Sequence, residues 1–401
     1  MGVYRFRRGL TAFVVVSAVF VGCTSVSSTD STSTIPAMTS TSSEATSTTS
    51  AATTTDTAVL GAEGWTFTEV PFLAREGSTY AVGDRWLFAW GGAPDRSGNL
   101  MSDGLLFDIG TGDWVSVPDA PIEGRYLAAS VWTGSEFVVF GGHSFEDSFI
   151  DGAAFDPVAQ KWREIPEAPL SPAAHPSAVW DGSEMVIWLA GNDSEFARLP
   201  LMGASQMAAY DPAANAWRTL EPPEELLVDA SLLVSAQGLV LIGGPTTRDL
   251  GTIGLTGSVK ALVQDLTTDS WRDLTEGPTA ESVRPFELPD GSVGVVTDDG
   301  SVHRLIAMGW EPLTKIADPC PYDIGAASGG KAVFIKSCAT YALDGTTPTV
   351  ILQDDAYGAT TNLYGSAFLA TTEGVLVTLT DADPGEGTAG AVIIGIYKRS
   401  Q

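Results

Sequence analysis

The sequence predicts an all-β protein built from repeated four-stranded units, and two recurring patterns carry that prediction. Four segments end a strand in Asp and place Trp six positions later, starting at Asp108, Asp156, Asp211 and Asp265. Upstream of these aspartates lie alternating apolar stretches that end in glycine, such as FVVFGG and LVLIGG. Because successive Asp positions are about 50 residues apart, each interval fits one four-stranded unit.

Each recurring residue type has a physical role in such a unit. An Asp in a hairpin accepts hydrogen bonds from its own turn, and a glycine pair allows positive φ where a strand nears its neighbours. Trp offers a wide apolar face that packs between adjacent sheets. A fifth copy has Arg304 in the Asp position and Trp310 in the expected place, whereas a sixth has Asp344 but Val350 where Trp belongs.

The combination of a glycine pair, an aromatic residue and Trp at fixed spacing resembles the kelch repeat over about residues 65–398. The resemblance implies a β-propeller, and kelch propellers include both binding scaffolds and enzymes. Residues 363–398 contain three apolar strands without the Trp strand, while 64–71 is a Trp strand without a preceding unit. We therefore predict a kelch-type propeller of seven four-stranded blades closed by the N-terminal strand, with six blades as the alternative.

The predicted units cover roughly the following ranges: 78–120, 125–168, 174–222, 229–278, 283–317, 324–353 and 363–398.

Residues 1–22 predict export. Arg5, Arg7 and Arg8 precede the apolar run Leu10–Val21, which is shorter than the about 20 residues that a membrane-spanning helix needs. The run ends in FVGC, which resembles the lipobox of bacterial lipoproteins and implies lipid attachment at Cys23 on the extracytoplasmic face of the cell membrane. The alternative is an ordinary secretory signal with an incidental Cys.

The chain divides into three parts. Residues 1–22 are the predicted lipoprotein-type signal peptide, and the Ser/Thr-rich residues 23–57 form a flexible linker because they have almost no large apolar side chain. Residues 58–401 form the predicted propeller. In an exported chain the two remaining cysteines, Cys320 and Cys338, are expected to form a disulfide.

The charge balance excludes some partners. The chain has 21 Lys and Arg against 49 Asp and Glu, for a formal net charge of −28. Such a chain repels nucleic-acid phosphates and anionic lipid surfaces, so we expect no nucleic-acid partner. We expect a monomer that contacts the membrane through its lipid anchor alone.

No motif in the sequence assigns a cofactor or a metal. His143, His175 and His303 lack a spacing suited to zinc, and no nucleophile elbow is present. The copper oxidases with kelch-like repeats need a Tyr–Cys crosslink and a histidine pair, and no matching set is found. Asp298-Asp299-Gly300 is read as a hairpin turn rather than a calcium loop.

Loop length is the remaining functional signal. With strands labelled a to d in each blade, the b–c loops span about 91–103, 141–151, 190–206 and 243–259 in the first four units and only a few residues in units five and six. Long loops on one face indicate a binding surface, with neutral loop drift as the alternative. The candidate ligand-binding residues in or beside these loops are Arg125, His143, Asp193, Glu195, Arg198, Arg248 and Asp249.

These observations favour a membrane-tethered binding or scaffold module for a protein or glycan outside the membrane. A carbohydrate-acting enzyme that uses the long-loop face is the first alternative. A cell-envelope spacer without a ligand site is the second.

Overall fold

The computed structural model describes residues 64–398 except 74, 95–98, 174, 191–204, 226, 237, 246–256, 266–269, 275–276, 281–282, 308, 318–324, 330–331, 338, 354–366, 372–373 and 383–390. All regular structure in these residues is β, and none of them forms a helix that could cross a membrane. The predicted signal peptide, the linker and Cys23 lie outside the described residues, as do Cys320 and Cys338.

The strands form seven four-stranded antiparallel sheets, each with neighbours in the order a, b, c, d. Blade 1 contains β2 (Thr79–Val82), β3 (Trp86–Trp90), β4 (Gly104–Asp108) and β5 (Trp114–Val117). Blade 2 contains β6 (Ala129–Trp132), β7 (Phe137–Phe140), β8 (Gly152–Asp156) and β9 (Lys161–Ile165). Blade 3 contains β10 (Ser177–Trp180), β11 (Met185–Leu189), β12 (Gln206–Asp211) and β13 (Ala216–Leu220).

Blade 4 contains β14 (Leu227–Ser235), β15 (Gly238–Pro245), β17 (Lys260–Asp265) and β18 (Ser270–Leu274), and the short β16 (Gly257–Ser258) pairs with β19 (Thr279–Ala280) beside it. Blade 5 contains β20 (Val283–Glu287), β21 (Val293–Thr297), β22 (Ser301–Ile306) and β23 (Gly309–Lys315). Blade 6 contains β24 (Gly325–Gly329), β25 (Ala332–Lys336), β26 (Ala339–Asp344) and β27 (Thr347–Gln353). Blade 7 contains β28 (Ala367–Ala370), β29 (Leu376–Ala382), β30 (Ala391–Tyr397) and β1 (Trp65–Leu73).

Blade 7 joins the two ends of the domain. The N-terminal β1 pairs antiparallel with β30, and Trp65 stands opposite Tyr397. The Trp65 ring also packs on the Tyr397 ring with centroids 5.3 Å apart. The predicted closure by the N-terminal strand is confirmed, because β1 supplies the outer strand that residues 363–398 lack.

The blades form a closed ring. Each inner strand contacts the inner strand of the next blade, from β2 through β6, β10, β14, β20 and β24 to β28, and β28 contacts β2. Adjacent blades thus cover each other's faces all the way round. The chain folds as a seven-bladed β-propeller, and the prediction of seven blades is confirmed.

The apolar core lies between the blades as seven separate layers, one in each gap. Strand alternation assigns the side chains: in β7, Phe137 and Val139 pack toward blade 1, whereas Val138 and Phe140 pack toward blade 3. Because side chains alternate across a strand, a central strand with cores on both sides is apolar at every position. This explains why runs such as FVVF carry no polar residue.

In the first three blades the Asp of the repeat caps the turn between strands c and d. The Oδ1 atom of Asp156 accepts hydrogen bonds from the backbone N–H groups of Val158 and Ala159, both at 2.8 Å. Asp108 and Asp211 make the equivalent bonds in blades 1 and 3. The predicted role of this residue is therefore confirmed.

In blades 2, 3, 4 and 7 the Trp of the repeat donates a hydrogen bond to the preceding blade, whereas the buried Nε1 atoms of Trp114 and Trp310, in blades 1 and 5, have no hydrogen-bond partner among the described residues. Trp162 Nε1 donates to the Pro118 carbonyl oxygen at 2.8 Å, Trp217 to that of Pro166 at 2.7 Å, and Trp271 to that of Glu221 at 2.9 Å. In the closing blade Trp65 donates to the Ile351 carbonyl at 2.9 Å. The indole thus contributes a directional bond between blades in addition to the apolar contact that the sequence predicts.

Blade 6 has a hydrogen bond to the preceding blade although it lacks the Trp. Val350 occupies the Trp position opposite Tyr341 in the ladder and is exposed. The Tyr341 hydroxyl instead donates to the Ala317 carbonyl oxygen, just beyond β23, at 2.6 Å. An aromatic donor on strand c therefore makes the inter-blade bond that Trp on strand d makes in blades 2, 3, 4 and 7.

Candidate functional site

The two faces of the ring differ in their connections. The d–a and b–c connections open on one face, called here the loop face, and the a–b and c–d turns on the other. On the loop face, residues 91–103 and 141–151 join strands b and c in blades 1 and 2, whereas residues 298–300 and 337–338 do so in blades 5 and 6. The predicted contrast in length between these blades is confirmed.

Five candidate residues lie outside the described part of the chain. Asp193, Glu195 and Arg198 belong to the b–c segment of blade 3, and Arg248 and Asp249 to that of blade 4. Their place in the loop face remains a prediction. Arg125 and His143 are described, and both lie in or beside the loops of blade 2.

The b–c segment of blade 2 is a small hairpin that extends β7 and β8, called here the blade-2 hairpin (residues 141–151). The Gly141 N–H donates to the Asp151 carbonyl at 3.0 Å and the Phe149 N–H to the Gly142 carbonyl at 2.9 Å. His143 and Ser148 form the next bridge. The segment is hydrogen-bonded along its length rather than an irregular excursion.

Ser144 orders the tip of this hairpin. Its Oγ accepts hydrogen bonds from the N–H groups of Glu146 and Asp147 at 3.1 and 2.9 Å, and its own N–H donates to the Asp147 carbonyl at 2.7 Å. The tip therefore has a fixed backbone, and it carries the exposed residues Phe145, Glu146 and Asp147.

Gly142 is required where the hairpin meets the next connection. Its φ is +87°, and a Cβ there would lie 2.5 Å from the Tyr126 carbonyl oxygen. The absence of a side chain lets the backbones of 126 and 143 pair, with N–H···O distances of 2.8 and 3.0 Å. The glycine pair thus fastens the b–c hairpin of blade 2 to the d–a segment that enters the same blade.

Arg125 lies beneath the hairpin, with its side chain fully buried. Its guanidinium binds both Asp151 carboxylate oxygens, at 2.5 and 3.1 Å, and also donates to the carbonyls of Glu123 and Gly141. It stacks 4.1 Å from the centre of the Phe149 ring. This bidentate, buried arrangement fixes both strands of the hairpin base. The structure therefore gives Arg125 a positioning role in the loop face.

Blade 1 repeats the arrangement in a more open form. Arg75 Nη1 donates to Asp103 Oδ1 at 2.7 Å and to the Asp103 carbonyl at 3.2 Å. As in blade 2, the first glycine of the pair, Gly91, donates to the carbonyl of this Asp. Of the arginines that the structure describes on the loop face, Arg75 is held by Asp103 and Arg125 by Asp151, and the side chains of both are largely buried.

Aromatic rings from three segments converge above Arg125. The His143 ring lies 5.4 Å from the His175 ring of the next blade and 5.7 Å from the Tyr126 ring, and Phe145 contacts Tyr126 edge-on at 5.4 Å. His143 is buried, and its Nδ1 lies 2.8 Å from the Ser144 carbonyl oxygen. The sequence separation of the two histidines gave no indication that they meet.

His175 adopts a left-handed backbone, with φ +55°. Leu127 in blade 2 and Gly77 in blade 1 occupy equivalent places before their inner strands, with φ +54° and +71°. A positive φ at a residue other than glycine carries conformational strain, which the surrounding contacts must hold in place. This conformation turns the chain from the loop face into the inner strand. His175 therefore has a structural role at the start of blade 3.

His303 lies far from this cluster. It is half-buried in β22 between Val295 and Pro312 of the neighbouring strands, as expected for a packing residue. Burial lowers the pKa of its imidazole, against a smaller opposite effect of Asp299. The Asp298–Gly300 segment closes the b–c turn of blade 5, where the Gly300 N–H donates to the Thr297 carbonyl at 2.8 Å. The prediction of a turn is confirmed.

Within the described residues no three His, Cys, Asp or Glu side chains come together as a metal-binding group would require. What the described loop face offers to a ligand is a rigid hairpin tip with one exposed aromatic ring and several carboxylates.

Comparison with known proteins supports the fold and assigns no family. No family model matches the chain, and no curated protein matches it by sequence. Among solved structures, a fungal alcohol oxidase of the AA5 family in complex with copper is 14% identical, with a TM-score of 0.58 over 83% of this chain and 76% of that protein. The protein YjhT is also 14% identical, with a TM-score of 0.49 over 81% of this chain and 98% of that protein. At this identity the likeness to the oxidase establishes a shared fold only.

Proposed function

We propose that this chain is a membrane-tethered, extracytoplasmic propeller of the kelch type that binds a protein or glycan on its loop face. The observation that carries the proposal is the braced hairpin of blade 2, which Arg125, the Gly142 junction and Ser144 hold in one conformation. A ring needs only short turns, as blades 5 and 6 demonstrate. A projecting segment with this much internal bonding is typical of a recognition loop on a rigid scaffold.

The binding proposal is tested by thermal unfolding of the detergent-solubilised full chain against sugars, glycan fragments, short peptides and divalent cations. A ligand at 100 times its dissociation constant adds about 2.7 kcal/mol to the free energy of unfolding, which raises the midpoint measurably. A hit whose shift is lost in Phe145→Ala but kept in Val158→Ala, at a turn of the opposite face, supports the loop face as the site. A hit with equal shifts in both variants contradicts it.

The tether is proposed from the sequence: export by residues 1–22, lipid attachment at Cys23 and a linker up to residue 57. Fractionation tests it directly. The natural chain is expected in the membrane fraction until detergent is added, and Cys23→Ala in the soluble extracytoplasmic fraction or as uncleaved precursor. An unchanged distribution of Cys23→Ala, without lipid on the natural chain by mass spectrometry, would exclude the anchor.

A carbohydrate-acting enzyme on the same face is the second candidate, and the proximity of His143 and His175 favours it. Two imidazoles in contact next to a tyrosine are residue types used in proton transfer. If this function is right, His175→Asn abolishes turnover of a sugar that still shifts the unfolding midpoint. Binding without turnover in the natural chain would leave the binding module as the function.

A further inference from the structure

We propose that the tip of the blade-2 hairpin, residues 144–147, binds a lysine or arginine side chain of a partner protein. The inference rests on the proposed function, because it names the ligand chemistry of the loop face. It starts from Phe145, which is 56% exposed although the aromatic side chains described elsewhere in the propeller are buried or half-buried. Aromatic residues, Phe among them, are enriched in protein–protein interfaces relative to the rest of the surface.

The ring is held ready for contact. Ser144 fixes the backbone on both sides of Phe145, and the edge-on contact with Tyr126, at 79° between the ring planes, restricts the ring itself. Tyr126 is in turn paired to His143 through the backbone. A ligand that packs on Phe145 therefore meets a surface that loses little conformational entropy on binding.

The charges around the ring select the ligand. Glu146 and Asp147 follow Phe145 in the same turn and are exposed, and Glu123, whose carbonyl accepts from Arg125, is exposed on the adjacent segment. Arg75 and Arg125, which the structure describes on this face in blades 1 and 2, are bound to Asp103 and Asp151. Among the described residues, the tip thus combines an aromatic face with carboxylates, and the nearby arginines already have carboxylate partners.

A lysine or arginine side chain complements both the Phe145 ring and the carboxylates of the tip. Its methylene stem packs on an aromatic ring, and its cationic head is attracted by the ring face and by carboxylates. The net charge of −28 acts at longer range and draws a basic partner toward the propeller. A neutral saccharide could stack on Phe145 and donate its hydroxyls to the carboxylates, but it would gain nothing from the net negative charge, so the observations favour a basic segment of a protein.

The test measures fluorescence anisotropy of a short fluorescein-labelled peptide of alternating lysine and glycine, titrated with the solubilised full chain. A peptide with glutamate in place of lysine serves as the ligand control. We expect saturable binding of the lysine peptide alone, weakened when NaCl is raised from about 50 to about 300 mM. Phe145→Ala is expected to weaken it about fivefold, and Val158→Ala, which removes an 86% exposed side chain from a turn of the opposite face, to leave it unchanged.

Net charge alone could attract a lysine peptide, and a pair of charge-matched double variants separates the two effects. Glu146→Gln with Asp147→Asn removes two carboxylates from the tip. Asp113→Asn with Glu164→Gln removes two exposed carboxylates from the c–d turn of blade 1 and from β9. The first pair is expected to weaken binding about tenfold and the second less than twofold.

Equal losses in the two double variants, or full affinity of Phe145→Ala, overturn the proposal. Phe145-dependent binding of a chitin or cellulose oligosaccharide, with no binding of the lysine peptide, overturns the basic ligand while the loop face stands as the site. Lysine-peptide binding that depends on neither the tip nor the salt concentration overturns the proposal and leaves the thermal screen to decide the proposed function.

Discussion

Blades 2 and 6 have the same four-stranded architecture but differ in almost every feature that makes the repeat recognisable. Blade 2 has the capping Asp156, the tying Trp162 and the long hairpin on the loop face. Blade 6 has Val350 in the Trp position, and residues 337–338 alone join strands b and c. Both blades nevertheless bury apolar layers against their two neighbours.

The comparison separates what builds a blade from what elaborates it. The apolar alternation across strands is sufficient for four strands in a ring, and an inter-blade hydrogen bond can come from a different residue. Blades 5 and 6 close the ring without a hairpin of this kind. Its ion pair, caps and exposed tip are therefore the part of this comparison that points to binding.

The largest expected effect is at the base of that hairpin. Arg125→Ala leaves Asp151 and two carbonyls without their buried donor, and we expect a loss of about 3 kcal/mol in the free energy of unfolding, at the low end for a broken buried pair because Asp151 is partly exposed. Arg75→Ala, in the more open pair of blade 1, should cost about 1 kcal/mol. Urea titration of both variants measures the difference, and equal losses would contradict the positioning role of Arg125.

The second effect compares the two residues at the Trp position. Trp162 contacts the Phe155, Phe88 and Trp90 rings and donates across the blade gap. Because Trp162 is only half-buried, Trp162→Ala should destabilise the chain by about 2 kcal/mol, less than the loss of a fully buried Trp. Val350→Ala should change stability by less than about 0.5 kcal/mol, since Val350 is 43% exposed and has less apolar contact to lose. Thermal unfolding of the two variants provides the measurement. A large loss at Val350 would mean that blade 6 depends on this position after all.

A smaller effect is expected for the hydrogen bond between Tyr341 and Ala317, which joins blade 6 to blade 5. Tyr341→Phe keeps the ring and removes only the hydroxyl that donates to Ala317, so we expect a loss of about 1 kcal/mol. Denaturant titration should detect it as a shifted midpoint with an unchanged slope. No shift would show that blade 6 needs no such bond, which would sharpen the contrast with blade 2.

The smallest expected effect is electrostatic and lies in blade 5, on the face opposite the loops. Desolvation raises the pKa of the Glu287 carboxyl, at the end of β20, above its ordinary value although its side chain keeps contact with solvent. A raised folded-state pKa stabilises the protein at pH values below the ordinary pKa, and this contribution is lost as the pH rises through the folded pKa. Glu287→Gln should therefore be more stable than the natural chain at neutral pH, with the difference shrinking toward pH 4.

Unfolding midpoints at several pH values measure this difference. Glu311→Gln, an exposed substitution on β23 of the same blade, provides the control. A constant difference between Glu287→Gln and the natural chain at every pH would contradict the proposed desolvation.

The fold could be predicted from the sequence because its determinants are local and repeated. The Asp turn, the Trp six residues later and the apolar alternation are each visible within one unit, and the isolated Trp65 strand pointed to closure. The candidate site was harder to predict from the sequence. Arg125 is a charged residue before a strand, and nothing local indicates that Asp151 buries it.

The contact of His143 with His175 joins two blades, so no spacing within one repeat predicts it. Phe145 was overlooked for a related reason. Exposure of an aromatic residue depends on what the surrounding loops leave uncovered, which is a property of the assembled face. The recurrence of Arg before the inner strand at 75 and 125, each followed by a glycine pair and Asp, was the one signal that could have located the hairpin base.

The closing strand also determines how the ring would be held. As the outer strand of its blade, β1 runs toward the loop face, so Trp65, opposite Tyr397, starts on the face with the a–b and c–d turns. The chain upstream of residue 64 therefore joins the propeller on the face opposite the loop face. If the chain is tethered through its N-terminal segment, as proposed, the attachment point lies on the face opposite the blade-2 hairpin, and any force transmitted along the chain reaches the Trp65–Tyr397 pair first.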